Sequence, residues 1–179
     1  MSPLLSTVAL TLAAGRILIG LLLAVSAYAK LAAPRDQQVA DVVGYRIVPE
    51  RSARNVAVAL PAVEMFFAGC LMLGGRLPIT ETIAAILLLA LAGASAGVLA
   101  RGIRTDCGYF GSLLRWRVGP GAVMANVALA AVLAADLLTA PQRLLLADPG
   151  SNMVPIVMSV VSASLLIQNW DKFRRPRLV

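Results

Sequence analysis

An all-α integral membrane protein is the fold class predicted by three observations. The 179 residues are 59% hydrophobic and only 14% charged, against roughly 45–50% and about 25% in soluble domains. Mean hydropathy is +0.83, so too little polar surface exists to cover a water-soluble core. Apolar stretches near 20 residues recur along the chain, the length that crosses about 30 Å of hydrocarbon as helix. Backbone groups in lipid find no water, so each such stretch must be helical.

Five spans are expected, at about 13–33, 56–73, 82–100, 118–137 and 151–170, in a single membrane domain. The first holds Arg16 and Lys30, with Leu4 to Ala14 extending its helix. The segment Ala27-Tyr28-Ala29 has the small-x-small pattern of a cleavage site, but no Lys or Arg precedes it in the first 15 residues. A signal peptide is therefore not expected. Between spans 1 and 2, Val39, Val42, Val43 and Ile47 recur at helical spacing among polar residues. That pattern predicts a surface amphipathic helix over about 35–49, ended near Pro49.

Absent histidine excludes bis-histidine haem, His-ligated metals and Ser-His or Cys-His nucleophiles. Two cysteines exclude a disulfide scaffold and a four-cysteine metal site. No metal and no cofactor are expected.

The net charge of +7 is parcelled among membrane loops, which argues against nucleic acid and for contact with anionic lipid. Thirteen of the 16 Lys and Arg residues flank the first connection, the third connection or the C-terminal tail; Arg16, Arg76 and Arg143 are the others. With five spans these regions share one side. The positive-inside rule makes it cytoplasmic, with the N-terminus outside and the C-terminus inside the cell membrane.

Glu64 falls about ten residues into span 2, roughly 15 Å along the helix and near the midplane. An ionisable group there is a functional-site candidate, set against a packing role of equal weight. Pro61 removes a backbone donor beside it and predicts a kink. Arg16 and Lys30 read as end residues that snorkel to the interface. Asn126 and Asp136 in span 4 read as bonding across helices. Gly93 to Gly97 in span 3 form a small-residue stripe suited to close helix approach.

After span 3 comes Arg101-Gly-Ile-Arg104-Thr-Asp106-Cys107-Gly108-Tyr109-Phe110-Gly111. Cys107 beside Asp106 is a candidate redox thiol, and Arg101 and Arg104 would favour its thiolate. This stretch resembles the Asp-Cys-Gly-Cys-Phe-Gly motif of the methylamine-utilisation MauE family, within the DoxX-like membrane proteins. The opening Arg16-Ile-Leu-Ile-Gly20, Ala29-Lys30-Leu31, Tyr45-Arg46, Pro49, Pro61-x-x-Glu64 and Asn126 agree in order along the chain. The resemblance covers about Arg16 to Leu138. It implies a four-helix DoxX/MauE-like bundle, to which span 5 is an addition, and membrane-linked thiol-disulfide chemistry in the maturation of extracytoplasmic enzymes.

Tyr109 stands where the motif has its second cysteine, so Cys107 lacks a local partner. Cys70 lies 16 residues beyond Arg54, about 24 Å along a helix leaving the side to which span 3 returns. A disulfide needs Cα atoms within about 7 Å, so none is expected between the two. Any redox step then needs a protein partner, a thioredoxin-like protein or a membrane complex, and stand-alone catalysis is not expected. The resemblance implies an outward thiol and the charges an inward one; the charge distribution is preferred. The competing function is a non-catalytic accessory or assembly subunit that keeps the bundle without the chemistry. A transporter or quinone site around Glu64 ranks third, since no inverted repeat is visible.

Overall fold

The computed structural model describes residues 3–73, 78–103, 106–107, 116–139 and 153–174. Six helices appear: α1 (Pro3–Ala32), α2 (Arg35–Gly44), α3 (Glu50–Leu73), α4 (Pro78–Ala100), α5 (Pro120–Thr139) and α6 (Met153–Arg174). Four of them, α1, α3, α4 and α5, carry stretches long and apolar enough to cross a membrane. The chain is thus a multi-pass, all-α membrane protein. The apolar stretch of α6, Ile156–Trp170, is shorter.

Helix α3 is central. It packs along α1, α2 and α6 and touches α4, while α4 and α5 form a second pair joined to the first through α1 and α5. Ile19 and Leu23 of α1, Phe67, Ala68 and Leu71 of α3, Ala84 and Leu88 of α4, and Ala130 and Leu133 of α5 make one buried core. Lipid takes the rest of the apolar surface: Leu18, Leu21, Ile86 and Val127 point outward. Since lipid tails are as apolar as leucine, close packing must add what the hydrophobic effect does not supply between helices.

Two glycines provide that closeness. A Cβ at Gly20 would lie 2.6 Å from Met72 Cγ and 3.0 Å from the Ala68 carbonyl, so α1 meets α3 there. At Gly69 a Cβ would overlap the Met158 side chain, and α6 docks by laying Met158 over that gap. The stripe in α4 is different from expectation. Gly93 has nothing within 4 Å of its would-be Cβ, and Gly97 only the Arg101 guanidinium at 4.0 Å. Gly93 is exposed, so these glycines bring no helix close.

Element boundaries shift at the polar ends. Helix α2 stops at Gly44, before Pro49, because Arg46 takes a left-handed φ of 50°. The last amides turn back instead, Tyr45 N–H to Val42 O and Arg46 N–H to Val43 O. Helix α3 starts at Glu50 and α4 at Pro78, each earlier than its apolar window, since polar first turns extend beyond the hydrocarbon. Pro61 sits inside an unbroken α3.

Candidate functional site

Ser26 and Lys30 are four residues apart on α1 and therefore share a face, which meets Glu64 of α3. The Lys30 ammonium lies 2.8 Å from both Glu64 oxygens. Ser26 Oγ donates to Glu64 Oε2 at 3.1 Å and accepts from Lys30. The Glu64 side chain is 1% exposed and that of Lys30 16%. Lys30 thus turns inward to its counter-ion, which corrects the snorkelling reading: a compensating carboxylate one helix away is worth more than a stretched route to water. Ser26 lies six residues from the end of α1 at Ala32, about 9 Å, and Glu64 lies 14 residues into α3, about 21 Å.

Arg16 also has a partner. Its Nη1 is 3.4 Å from Glu81 Oε1 in the first turn of α4, with side chains 12% and 4% exposed. Fourteen residues separate Arg16 from Lys30, about 21 Å along α1. The two ion pairs therefore tie α1 to different neighbours at opposite ends of the bundle.

A cavity of about 320 Å³ opens between α2, α3 and α4, with Lys30 and Glu64 in its wall. Its lining is chiefly aliphatic, including Val42, Val56, Leu60, Leu87 and Leu91, with Gln38 of α2 and Ser95 of α4 among the polar members. Ala94 and Ser95 of α4 border it, so α3 and α4 stand apart around a space here. Pro61 cannot donate to the Ala57 carbonyl, and Ala57 lines the same cavity.

Arg101 fixes the roof. Its guanidinium donates to the carbonyls of Tyr45 at 2.7 Å and Arg46 at 2.9 Å, and its Nε to Gly97 O at 2.8 Å. The end of α4 is thereby bolted to the turn after α2, and Tyr45 lines the cavity below.

Past α4, Asp106 and Cys107 form a two-residue strand paired antiparallel with Trp116 and Arg117, Cys107 opposite Trp116. This strand lies against α2, at the Lys30 end. Cys70 is free and buried in α3, three residues from its Leu73 end. The motif residues Gly108, Tyr109, Phe110 and Gly111 lie outside the described residues. Asn126 is buried and donates to the Ala122 carbonyl of its own helix at 3.0 Å, a bond within α5. Asp136 is buried in α5. Among the described residues no group of three or more Cys, Asp and Glu side chains is placed to hold a metal ion.

Of the sequence candidates, then, Lys30 and Glu64 come together, while Arg16 and Asn126 lie elsewhere. Ser26, Gln38 and Glu81 were not expected. The Ser26-x-x-x-Lys30 spacing opposite an intramembrane glutamate was a usable signal for the first. Neither Gln38 nor Glu81 stands out in sequence.

Comparison with known families matches residues 8–140 to the model described as methylamine utilisation protein MauE. That span runs through α1 to α5 and stops before α6. No curated protein and no solved structure matches the chain.

Proposed function

The chain belongs to the methylamine utilisation protein MauE family, and from that membership we propose that it assists thiol-disulfide maturation of a partner protein, with Cys107 as the exchanging thiol. The observation that carries this reading is the separation of the two cysteines. Cys107 follows the α4 end beside α2, whereas Cys70 is enclosed near the far end of α3. A thiol without a second cysteine beside it in the motif supports exchange and not net oxidation. The Cys107 thiolate attacks a partner disulfide, forming a mixed disulfide and releasing one partner sulfur as thiolate. A second partner thiolate then attacks the partner sulfur bound to Cys107, forming a new partner disulfide and returning the Cys107 thiolate. No electrons are gained or lost overall, and the partner's bridges are rearranged.

The experiment is acid trapping of cells followed by non-reducing electrophoresis of the tagged chain. A mixed-disulfide adduct is expected in the wild type and in Cys70→Ser, and its absence in Cys107→Ser. Tyr109 at the second motif position favours the other reading, an accessory subunit of a membrane complex. A stoichiometric partner co-purifying unchanged with Cys107→Ser, without any adduct in the wild type, would select it. The basic loops and C-terminal tail support a cytoplasmic Lys30 end, hence an N-terminus outside and a C-terminus inside.

A further inference from the structure

We propose that the cavity between α2, α3 and α4 takes one acyl chain of an anionic phospholipid, whose head group rests on Arg46 and Arg54 at the mouth. This is independent of the thiol chemistry, since Cys107 is not among the residues lining the cavity.

The interior specifies the chain. Its volume is about 320 Å³, and Val42, Val48, Val56, Leu60, Leu87 and Leu91 make its lining chiefly aliphatic, which suits an apolar body. The charged members of the wall are Lys30, Glu64 and Asp41, one ammonium against two carboxylates. An anionic group inside would lose its hydration and face a wall with an excess of negative charge, so the head group stays outside.

The mouth specifies the head group. Ile47 lines the cavity yet is 54% exposed, so the opening lies at the turn between α2 and α3. Arg46 immediately precedes it and is exposed. Its left-handed φ of 50° is kept by Arg101, which holds the Tyr45 and Arg46 carbonyls; a bulky residue stays in that region only where its surroundings impose it. Across the turn, exposed Arg54 shares a helical face with Ala57 of the lining, three residues on. Neither guanidinium has a carboxylate partner among the described residues, and Glu50 is offset by Arg51 in the same first turn of α3. Arg54 precedes the apolar run that starts at Val56, at the depth where the hydrocarbon gives way to phosphates. An apolar space under two open cations is complementary to the two ends of one amphiphile, and the bilayer supplies it.

The test places the full chain in phosphatidylcholine vesicles and photolabels it with one of two probes that carry the same diazirine acyl chain, one a phosphatidylglycerol and one a phosphatidylcholine. Labelled positions are mapped by mass spectrometry. The phosphatidylglycerol probe should label Leu60 and Leu91 about tenfold more than the phosphatidylcholine probe, while lipid-facing Leu18 and Ile86 take both alike. Arg46→Gln combined with Arg54→Gln, two changes on the surface, should level the probes at Leu60 and Leu91. Ala94→Phe, which fills the space, should suppress cavity label from either probe. Inorganic phosphate in millimolar excess should leave the labelling unchanged; displacement by it would assign the arginines to a free anion and overturn the lipid. Equal labelling of the cavity by both probes in the wild type would overturn the head-group site, and label confined to Leu18 and Ile86 would overturn the cavity as a chain site.

Discussion

Lys30 and Glu64 carry opposite charges into surroundings where each alone would be severely destabilising, and Ser26 completes their hydrogen bonding. Removing one partner leaves the other buried and uncompensated, which costs about 3–5 kcal/mol, whereas replacing both with apolar side chains is often near neutral. Lys30→Met and Glu64→Leu should therefore each lower stability by about that amount, and the double variant should recover most of it. Unfolding in mixed micelles titrated with sodium dodecyl sulfate measures all three; additive losses would mean that the pair is not coupled in the folded state. Ser26 survives the double change because its hydroxyl can turn to the carbonyl four residues earlier on α1. Of this cluster the sequence made Glu64 conspicuous, as an acid inside an apolar span. Lys30 was visible yet misjudged, because position near a helix end says nothing about which way a long side chain turns.

Helix existence was legible from hydropathy alone, since a charge-free stretch of that length has few alternatives in lipid. Helix ends and contacts were not. The end of α2 depends on a left-handed Arg46 whose carbonyl, with that of Tyr45, is held by Arg101, 55 residues away. Glu81 escaped notice because it precedes the apolar window of α4, and its partner Arg16 lies 65 residues upstream. The Gly93 to Gly97 stripe misled because small residues record a capacity for close approach and not its use. Gly69→Val and Gly93→Ala separate the two cases. The former pushes a side chain into Met158 and should detach α6, seen as faster proteolysis of the Met153–Arg174 segment in micelles. The latter should leave proteolysis unchanged or raise stability by up to about 1 kcal/mol through helix propensity. Equal sensitivity at both positions would contradict the packing described.

Taken together, the basic residues Arg35, Arg46, Arg51, Arg54 and Arg101 gather at the end of the bundle where α1 and α4 finish and α2 lies, while Arg16 and Glu81 mark the other end. That polarity sets the orientation prediction. In intact cells carrying Cys70→Ser, a membrane-impermeant maleimide should leave Cys107 unlabelled and react with it only after lysis. Labelling of intact cells would invert the protein and place the thiol among extracytoplasmic partners. The docking of α6 adds a dimension of time. Met158 is synthesised 89 residues after the Gly69 notch it covers, and at roughly 5–20 residues per second the notch stays uncovered for about 5–20 s. During biosynthesis the Gly69 face of α3 therefore stays without its own cover until α6 is made.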